Sequence, residues 1–209
     1  MTFISRRDLL KQAGALGMVS VVARPFQARV GGPERPALQT LTPAEADLLD
    51  AVVARLIPSD ELGPGAKEAG AVHYIDRALG GALASSRQAY TSGLAALDKY
   101  SQSSRGDAFA RLSPIDQDSV LIDVETGAAT GFTGSSAVFF NMVLNHTQQG
   151  TFGDPYYGGN ANFVGWDLIG YPGVRTMVSA ADQKQLEAGA LKPNHKSAYE
   201  YDAFTKAGK

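Results

Sequence analysis

The sequence contains no cysteine among its 209 residues and only three histidines. Without cysteine the chain has no disulfide, no thiolate zinc site, no cysteine-ligated iron–sulfur cluster and no C-x-x-C-H haem attachment. The histidines, His73, His146 and His195, lie far apart, and none has a second histidine at metal-ligand spacing. A redox centre held by the side chains of this protein is therefore not expected.

An excess of positive charge is also lacking. The formal net charge is -2 at pH 7, and 19% of the residues are charged. This balance excludes a nucleic-acid-binding protein that works through a broad basic face. A hydrophobic content of 44% is enough for the packed core of one ordinary domain.

No motif of a self-sufficient active site occurs. Gly158-Gly159-Asn160 is followed by neither a dinucleotide fingerprint nor a P-loop lysine, and no serine lies in a G-x-S-x-G elbow. Four carboxylates are spaced around one predicted helix, which favours a solvated face over paired acid–base catalysis. They are Asp116, Asp118, Asp123 and Glu125.

Each histidine has a structural interpretation beside its functional one. His146 follows an apolar run and could be a general base or line a substrate channel, but a hydrogen-bonded histidine at a helix end is the simpler interpretation. His73 lies among apolar residues, which indicates a core or partner-facing position. His195 belongs to a polar tail and is predicted to be solvated.

The first residues resemble an export signal. A short charged region precedes twelve uncharged residues, Gln12 to Ala23, which are too few to span a membrane as a helix. The charged region matches the twin-arginine pattern S-R-R-x-F-L-K, except that leucine replaces phenylalanine. A basic amphipathic helix is the alternative, but apolar residues fill the whole stretch rather than one stripe. The residues assigned to the signal are Arg6, Arg7, Leu9, Leu10 and Lys11.

The chain is therefore divided into a signal segment at 1–28, a linker at 29–41 and a single helical domain at 42–209. Thr42 to Glu45 forms a capping box that starts the first helix, which Pro58 ends. A second helix is predicted from about residue 68 to residue 79.

Further helices make the fold class all-α. One has Tyr90, Leu94 and Leu97 on a single face, and another begins at Ser113 before a proline. The run 135–144 is apolar on every side, which indicates a central, fully buried helix, although a short strand has the same pattern. A polar C-terminal tail completes the domain.

Residues 151–173 are rich in glycine and aromatic residues. Six of the 18 aromatic residues, including the single tryptophan, fall between Phe152 and Tyr171. Glycine and proline prevent long regular structure, so these rings are expected on turns. They either pack on the helices, which the residue types alone favour, or anchor a partner.

The same segment resembles the signature of the gluconate 2-dehydrogenase subunit 3 family. Phe-x-Asp-Pro-x-Tyr-Gly-Gly-Asn begins at Phe152, and Val-Gly-Trp-x-Leu-Ile-Gly-Tyr-Pro-Gly ends at Gly173. The leader and the helix after Thr42 also fit the layout of that family, so the resemblance covers nearly the whole chain. The leucine in the leader is the one departure.

The resemblance implies a noncatalytic small subunit of a periplasmic dehydrogenase for sugars or sugar acids. Its large partner would be an FAD-bearing flavoprotein of the glucose-methanol-choline type, often with a c-type cytochrome subunit that carries haem c. The small subunit would supply the twin-arginine signal to the export machinery and support maturation of the flavoprotein. The complex would lie in the periplasm, with attachment to the inner membrane as one arrangement.

Two functions from different classes follow. The first is this partner subunit, with the glycine- and aromatic-rich segment as its interface. The second is an independent exported module that stacks Tyr156, Tyr157, Trp166 and Tyr171 on sugar rings. The residues predicted to bind the partner are Phe152, Asp154, Pro155, Tyr156, Tyr157, Trp166 and Tyr171.

Overall fold

The computed structural model describes residues 37–205, so the predicted signal at 1–28 lies outside the described residues. The described part contains eight α-helices, five short 3₁₀-helices and no strand, which confirms the all-α prediction. No helix between residues 37 and 205 is long and apolar enough to cross a membrane.

The helices follow one another as α1 (Pro43–Leu56), α2 (Ala71–Leu79), α3 (Arg87–Arg105), α4 (Pro114–Glu125), α5 (Ser136–Phe152), α6 (Val164–Leu168), α7 (Ala180–Glu187) and α8 (Asp202–Thr205). The 3₁₀-helices are Ala84–Ser86, Phe109–Arg111, Pro155–Tyr157, Ala161–Phe163 and Ala198–Glu200. No helix after α5 exceeds eight residues, as the glycines and prolines predict.

Helix α5 is central, since it contacts α1, α2, α3, α4 and α6. The core fills the space between α5 and the first four helices. The predicted stripe of α3 is confirmed, because Tyr90, Leu94 and Leu97 are all buried. The other fully buried large apolar side chains are Leu49, Val53, Ile75, Leu79, Phe109, Val120, Val124 and Val143.

The prediction for the run 135–144 is half right. The run is helical, so the strand alternative is wrong, but it is not buried on every side. Val138 is 69% exposed, and Asn141 and Asn145 lie on the same open side. The neighbouring helices cover only part of α5, and Val138 adds an exposed apolar residue that hides the helical period in the sequence.

Two of the predicted helix starts are confirmed by their caps. In α1 the Glu45 N–H donates to the Thr42 hydroxyl (3.3 Å), and the Thr42 N–H donates to the Glu45 carboxylate (2.9 Å). At α4 the Asp116 N–H donates to the Ser113 hydroxyl at 3.2 Å. Helix α2 begins at Ala71 rather than near Glu68, because the preceding Gly70 has a left-handed backbone (φ +73°) that interrupts an α-helix.

The last residues of the predicted linker pack on α2. The buried carboxylate of Asp76 accepts hydrogen bonds from the backbone N–H groups of Gln39, Thr40 and Leu41 at 2.7–2.9 Å. Arg87 donates to both oxygens of the Glu45 carboxylate, at 2.9 and 2.7 Å. These bonds hold residues 39–45 against the helices.

The contact with Arg87 lowers the pKa of Glu45 from 4.5 to about 2. Because the folded-state pKa lies below the ordinary value, the ionised carboxylate stabilises the fold fully above pH 4.5. That stabilisation is lost as the pH falls toward 2.

We expect Glu45→Gln to lower the free energy of unfolding by about 1–2 kcal/mol at pH 7, since it removes the ion pair and weakens the capping box. Urea unfolding at pH 7, 4 and 3 should show this difference shrinking, because Glu45 of the unfolded chain is protonated below its ordinary pKa of 4.5 while folded Glu45 stays ionised. Asp47→Asn, an exposed change on the same helix, is the control and should cost less than about 0.5 kcal/mol. A difference that stays constant down to pH 3 would contradict the assignment.

Candidate partner-binding surface

The glycine- and aromatic-rich segment lies directly on the last turn of α5. The Asn160 N–H donates to the carbonyl oxygen of Gly150 at 2.7 Å. A Cβ atom on Gly159 would lie 2.1 Å from that same oxygen, and one on Gly165 would lie 1.8 Å from the carbonyl oxygen of Thr151. Only glycine therefore permits this approach of the backbones.

Asn160 ties the two ends of the loop together. Its side chain is fully buried, and its Nδ2 donates to the Gly153 carbonyl oxygen at 2.9 Å while its Oδ1 accepts from the Gly165 N–H at 2.8 Å. The backbone φ of Asn160 is +45°, a left-handed conformation that asparagine tolerates better than most residues. The Gly-Gly-Asn sequence therefore has a structural role, because it fixes the loop against the end of α5.

Trp166 belongs to the interior of the protein. It is 4% exposed, and its indole N–H donates to the Phe152 carbonyl oxygen at 2.9 Å. Its ring contacts Phe163 and Tyr171, with centroids 5.2 and 4.8 Å apart. Of the two predicted roles, the geometry supports packing for Trp166. The residue type could not decide this, because large aromatic residues are favoured both in cores and at interface centres.

The other predicted partner-binding residues fall into two groups. Phe152, Asp154 and Pro155 are half-buried. Tyr156 and Tyr157 are about half exposed, and Tyr171 is 37% exposed. These three tyrosines remain the predicted contacts that a partner can reach.

The C-terminal tail folds back onto this segment. Asp154 accepts hydrogen bonds from the Ser197 hydroxyl at 2.6 Å and from the Ala198 N–H at 2.8 Å. The Nε2 of His195 lies 2.6 Å from Asp167 Oδ1, and its ring stacks on Phe163. His195 is half exposed but not free, so its description as a solvated tail residue is incomplete.

A cluster of three tyrosines joins the tail to the segment. Tyr199 stacks on Tyr156 with centroids 3.9 Å apart, and its hydroxyl is hydrogen-bonded to that of Tyr157. Arg77 of α2 donates to the Tyr156 carbonyl oxygen at 3.0 Å. Sequence reasoning missed Tyr199 and Arg77, because both contacts join residues more than 40 positions apart and have no local signal.

Exposed apolar side chains are frequent in the C-terminal part of the described sequence. Nine of the thirteen exposed large apolar residues of the described chain lie between Tyr156 and Phe204. Ile169, which sequence reasoning did not select, is 57% exposed. We use the name aromatic surface for Tyr156, Tyr157, Ile169, Tyr171 and Tyr199.

The remaining histidines have structural positions. His146 is buried within α5, where its Nδ1 lies 3.0 Å from the Tyr90 hydroxyl. It is hydrogen-bonded as predicted, but it lies inside the helix rather than at its end. Burial lowers the pKa of His146. His73 is half-buried on α2.

The carboxylates of α4 support the fold. Asp118 forms an ion pair with Arg55 at 2.7 Å, and Asp123 forms one with Arg105 at 3.1 Å. These ion pairs join α4 to α1 and α3. The carboxylate-bearing face of α4, which the sequence predicted to be solvated, therefore also contacts the neighbouring helices. Between residues 37 and 205, no group of three or more His, Asp or Glu side chains could hold a metal ion.

We expect Trp166→Ala to lower the free energy of unfolding by about 3–5 kcal/mol, since it empties a buried site and leaves the Phe152 carbonyl oxygen without its donor. Thermal unfolding of the purified chain measures this loss. Ile169→Ala, an exposed change three residues away, should cost less than about 0.5 kcal/mol. An unchanged melting temperature for Trp166→Ala would place that ring outside the core.

Comparison with known proteins places the chain in a family. Neither the curated proteins nor the solved structures gave a match. A comparison with protein-family models matches residues 43–173 to the family described as Gluconate 2-dehydrogenase subunit 3. This range spans α1 to the end of the glycine- and aromatic-rich segment, which is more than half of the chain. The protein therefore belongs to the gluconate 2-dehydrogenase subunit 3 family.

Proposed function

We propose that this protein is the noncatalytic small subunit of an exported FAD-dependent dehydrogenase for sugars or sugar acids, and that it binds its flavoprotein partner through the aromatic surface. The family is a subunit of gluconate 2-dehydrogenase, an oxidoreductase complex, so dehydrogenase partners follow from membership. The observation that carries the proposal is the exposure of the tyrosines of the aromatic surface, on a loop to which the tail is hydrogen-bonded.

The character of that surface fits a protein partner. Tyrosines contribute much of the binding free energy at interfaces, because they bury a large area and lose few rotamers. The loop that carries these rings is fixed by the buried amide of Asn160, and the Tyr171 ring packs on the buried Trp166 at a centroid distance of 4.8 Å. A surface that is ordered before binding loses little conformational entropy on association.

The cofactors of the complex would lie in other subunits. The FAD would lie in a partner of the glucose-methanol-choline type, and haem c would lie in a cytochrome subunit where one is present. This chain would hold neither, since its sequence contains no dinucleotide fingerprint and no cysteine. Its contribution would be to stabilise the flavoprotein and to accompany it to the periplasm.

The export role rests on the leader. Arg6 and Arg7 precede a short uncharged stretch, in the arrangement of a twin-arginine signal. The twin-arginine route carries folded proteins. A small subunit with this signal could therefore bring a flavoprotein that already contains its cofactor across the membrane.

An independent sugar-binding module is the weaker candidate. Such a module needs open ring faces on which a sugar can stack. Trp166 is buried, and Tyr199 covers Tyr156 at a centroid distance of 3.9 Å. Two of the four rings that this function requires are therefore occupied within the protein.

We expect Tyr157→Ala to weaken association with the flavoprotein about tenfold, because it removes a half-exposed ring from the aromatic surface. Ile122→Ala on α4 is the matched control, since it also removes an exposed apolar side chain, and it should change the affinity less than about twofold. Titration of the purified subunits measures both. Equal effects of the two changes would place the interface elsewhere.

We expect replacement of Arg6 and Arg7 by lysine to leave both this chain and the flavoprotein in the cytoplasm, because the twin-arginine machinery requires the arginine pair. Fractionation of cells that express both subunits measures the two locations. Arg24→Lys, outside the pair, should not alter export. A flavoprotein that reaches the periplasm without this chain would refute the escort role.

A further inference from the structure

A groove opens beside the aromatic surface. Its volume is about 270 Å³, and its lining combines three aromatic residues, two aliphatic residues and one carboxylate. The lining residues are Phe152, Asp154, Trp166, Ile169, Tyr171 and Val174. This mixture of rings and one negative charge differs from a purely apolar groove.

The carboxylate in the lining has only neutral donors. Asp154 accepts hydrogen bonds from the Tyr156 N–H, the Ser197 hydroxyl and the Ala198 N–H. No lysine or arginine in the described part of the chain forms an ion pair with it. A half-buried carboxylate is stabilised further by a cation, and it has lone pairs left to accept one more hydrogen bond.

Two neighbouring tyrosine rings already have a cation beside them. The Arg77 guanidinium lies 5.8 Å from the centroid of the Tyr156 ring, and the Lys196 ammonium lies 4.2 Å from that of Tyr201. Within residues 37–205, no cation lies over Trp166 or Tyr171. The groove therefore offers aromatic rings and a carboxylate to a cation that the described chain does not supply.

The overall charge favours a basic partner face. The described residues 37–205 carry 19 acidic and 11 basic side chains. Complementary potentials across an interface speed association and fix its register. A positively charged side chain that enters the groove would match both the local and the overall charge.

We propose that the groove receives an arginine side chain of the dehydrogenase subunit, a proposal that rests on the proposed function. Arginine fits better than lysine, because a planar guanidinium can stack on the Tyr171 ring and donate N–H bonds to the Asp154 carboxylate. The aliphatic part of the side chain packs against Ile169 and Val174.

The test uses the full chain and two probes, N-acetylarginine amide and the neutral N-acetylnorleucine amide. Trp166 is the only tryptophan and lines the groove, so its fluorescence and its indole N–H resonance report occupancy. We expect a saturable change with the arginine probe, weakened by salt, and none with the norleucine probe at equal concentration.

Substitutions test whether the arginine probe binds in the groove or elsewhere on the surface. Tyr171→Leu should weaken binding of the arginine probe about fivefold or more, and Phe204→Leu, an exposed aromatic-to-aliphatic change outside the lining, should leave it unchanged. Asp154→Asn should abolish the salt dependence. If Asp154→Asn does not fold, Tyr171→Leu still decides.

No saturable change with the arginine probe, an equal response to norleucine, or an unaffected Tyr171→Leu would each overturn the groove assignment. These outcomes are distinct from failure of the proposed function. A chain that binds the arginine probe but no flavoprotein would refute the partner subunit and keep the cation site. A chain that binds the flavoprotein but not the arginine probe would refute the cation site and keep the partner subunit.

Discussion

The close approach of three backbone segments around Gly150 is the constraint on which the rest of the structure depends. A Cβ atom on Gly150 would lie 2.9 Å from the Cα of Ala71, so glycine permits α2 to pack on the end of α5. From the other side, the loop at Gly159 and Asn160 rests on the Gly150 carbonyl. The helical core and the irregular segment thus meet without intervening side chains.

This contact explains how a segment with little regular structure can present an ordered surface. The buried amide of Asn160 satisfies backbone groups at both ends of the loop, and Trp166 fills the space beneath it. Tyr199 and the other bonded residues of the tail then brace the loop from outside. The buried residues keep the loop ordered, and the exposed tyrosines offer contact area to a partner.

Local signals predicted much of the helical domain. The capping box at Thr42 and the cap at Ser113 are encoded within four residues, and the apolar face of α3 follows from helical spacing. The role of Trp166 could not be predicted in this way, because large aromatic residues are favoured both in cores and at interface centres. The contacts of Tyr199 with Tyr156 and of Arg77 with the segment could not be predicted because they join residues far apart in the sequence.

The central claim is that the aromatic surface is the face that meets the dehydrogenase subunit. Hydrogen–deuterium exchange of the full chain, with and without that subunit, tests it most directly, because exchange reports protection along the whole backbone. The account predicts slower exchange at residues 152–171 and 194–201 in the complex, with no change in α4. Protection of α4 without protection of the aromatic surface would contradict it.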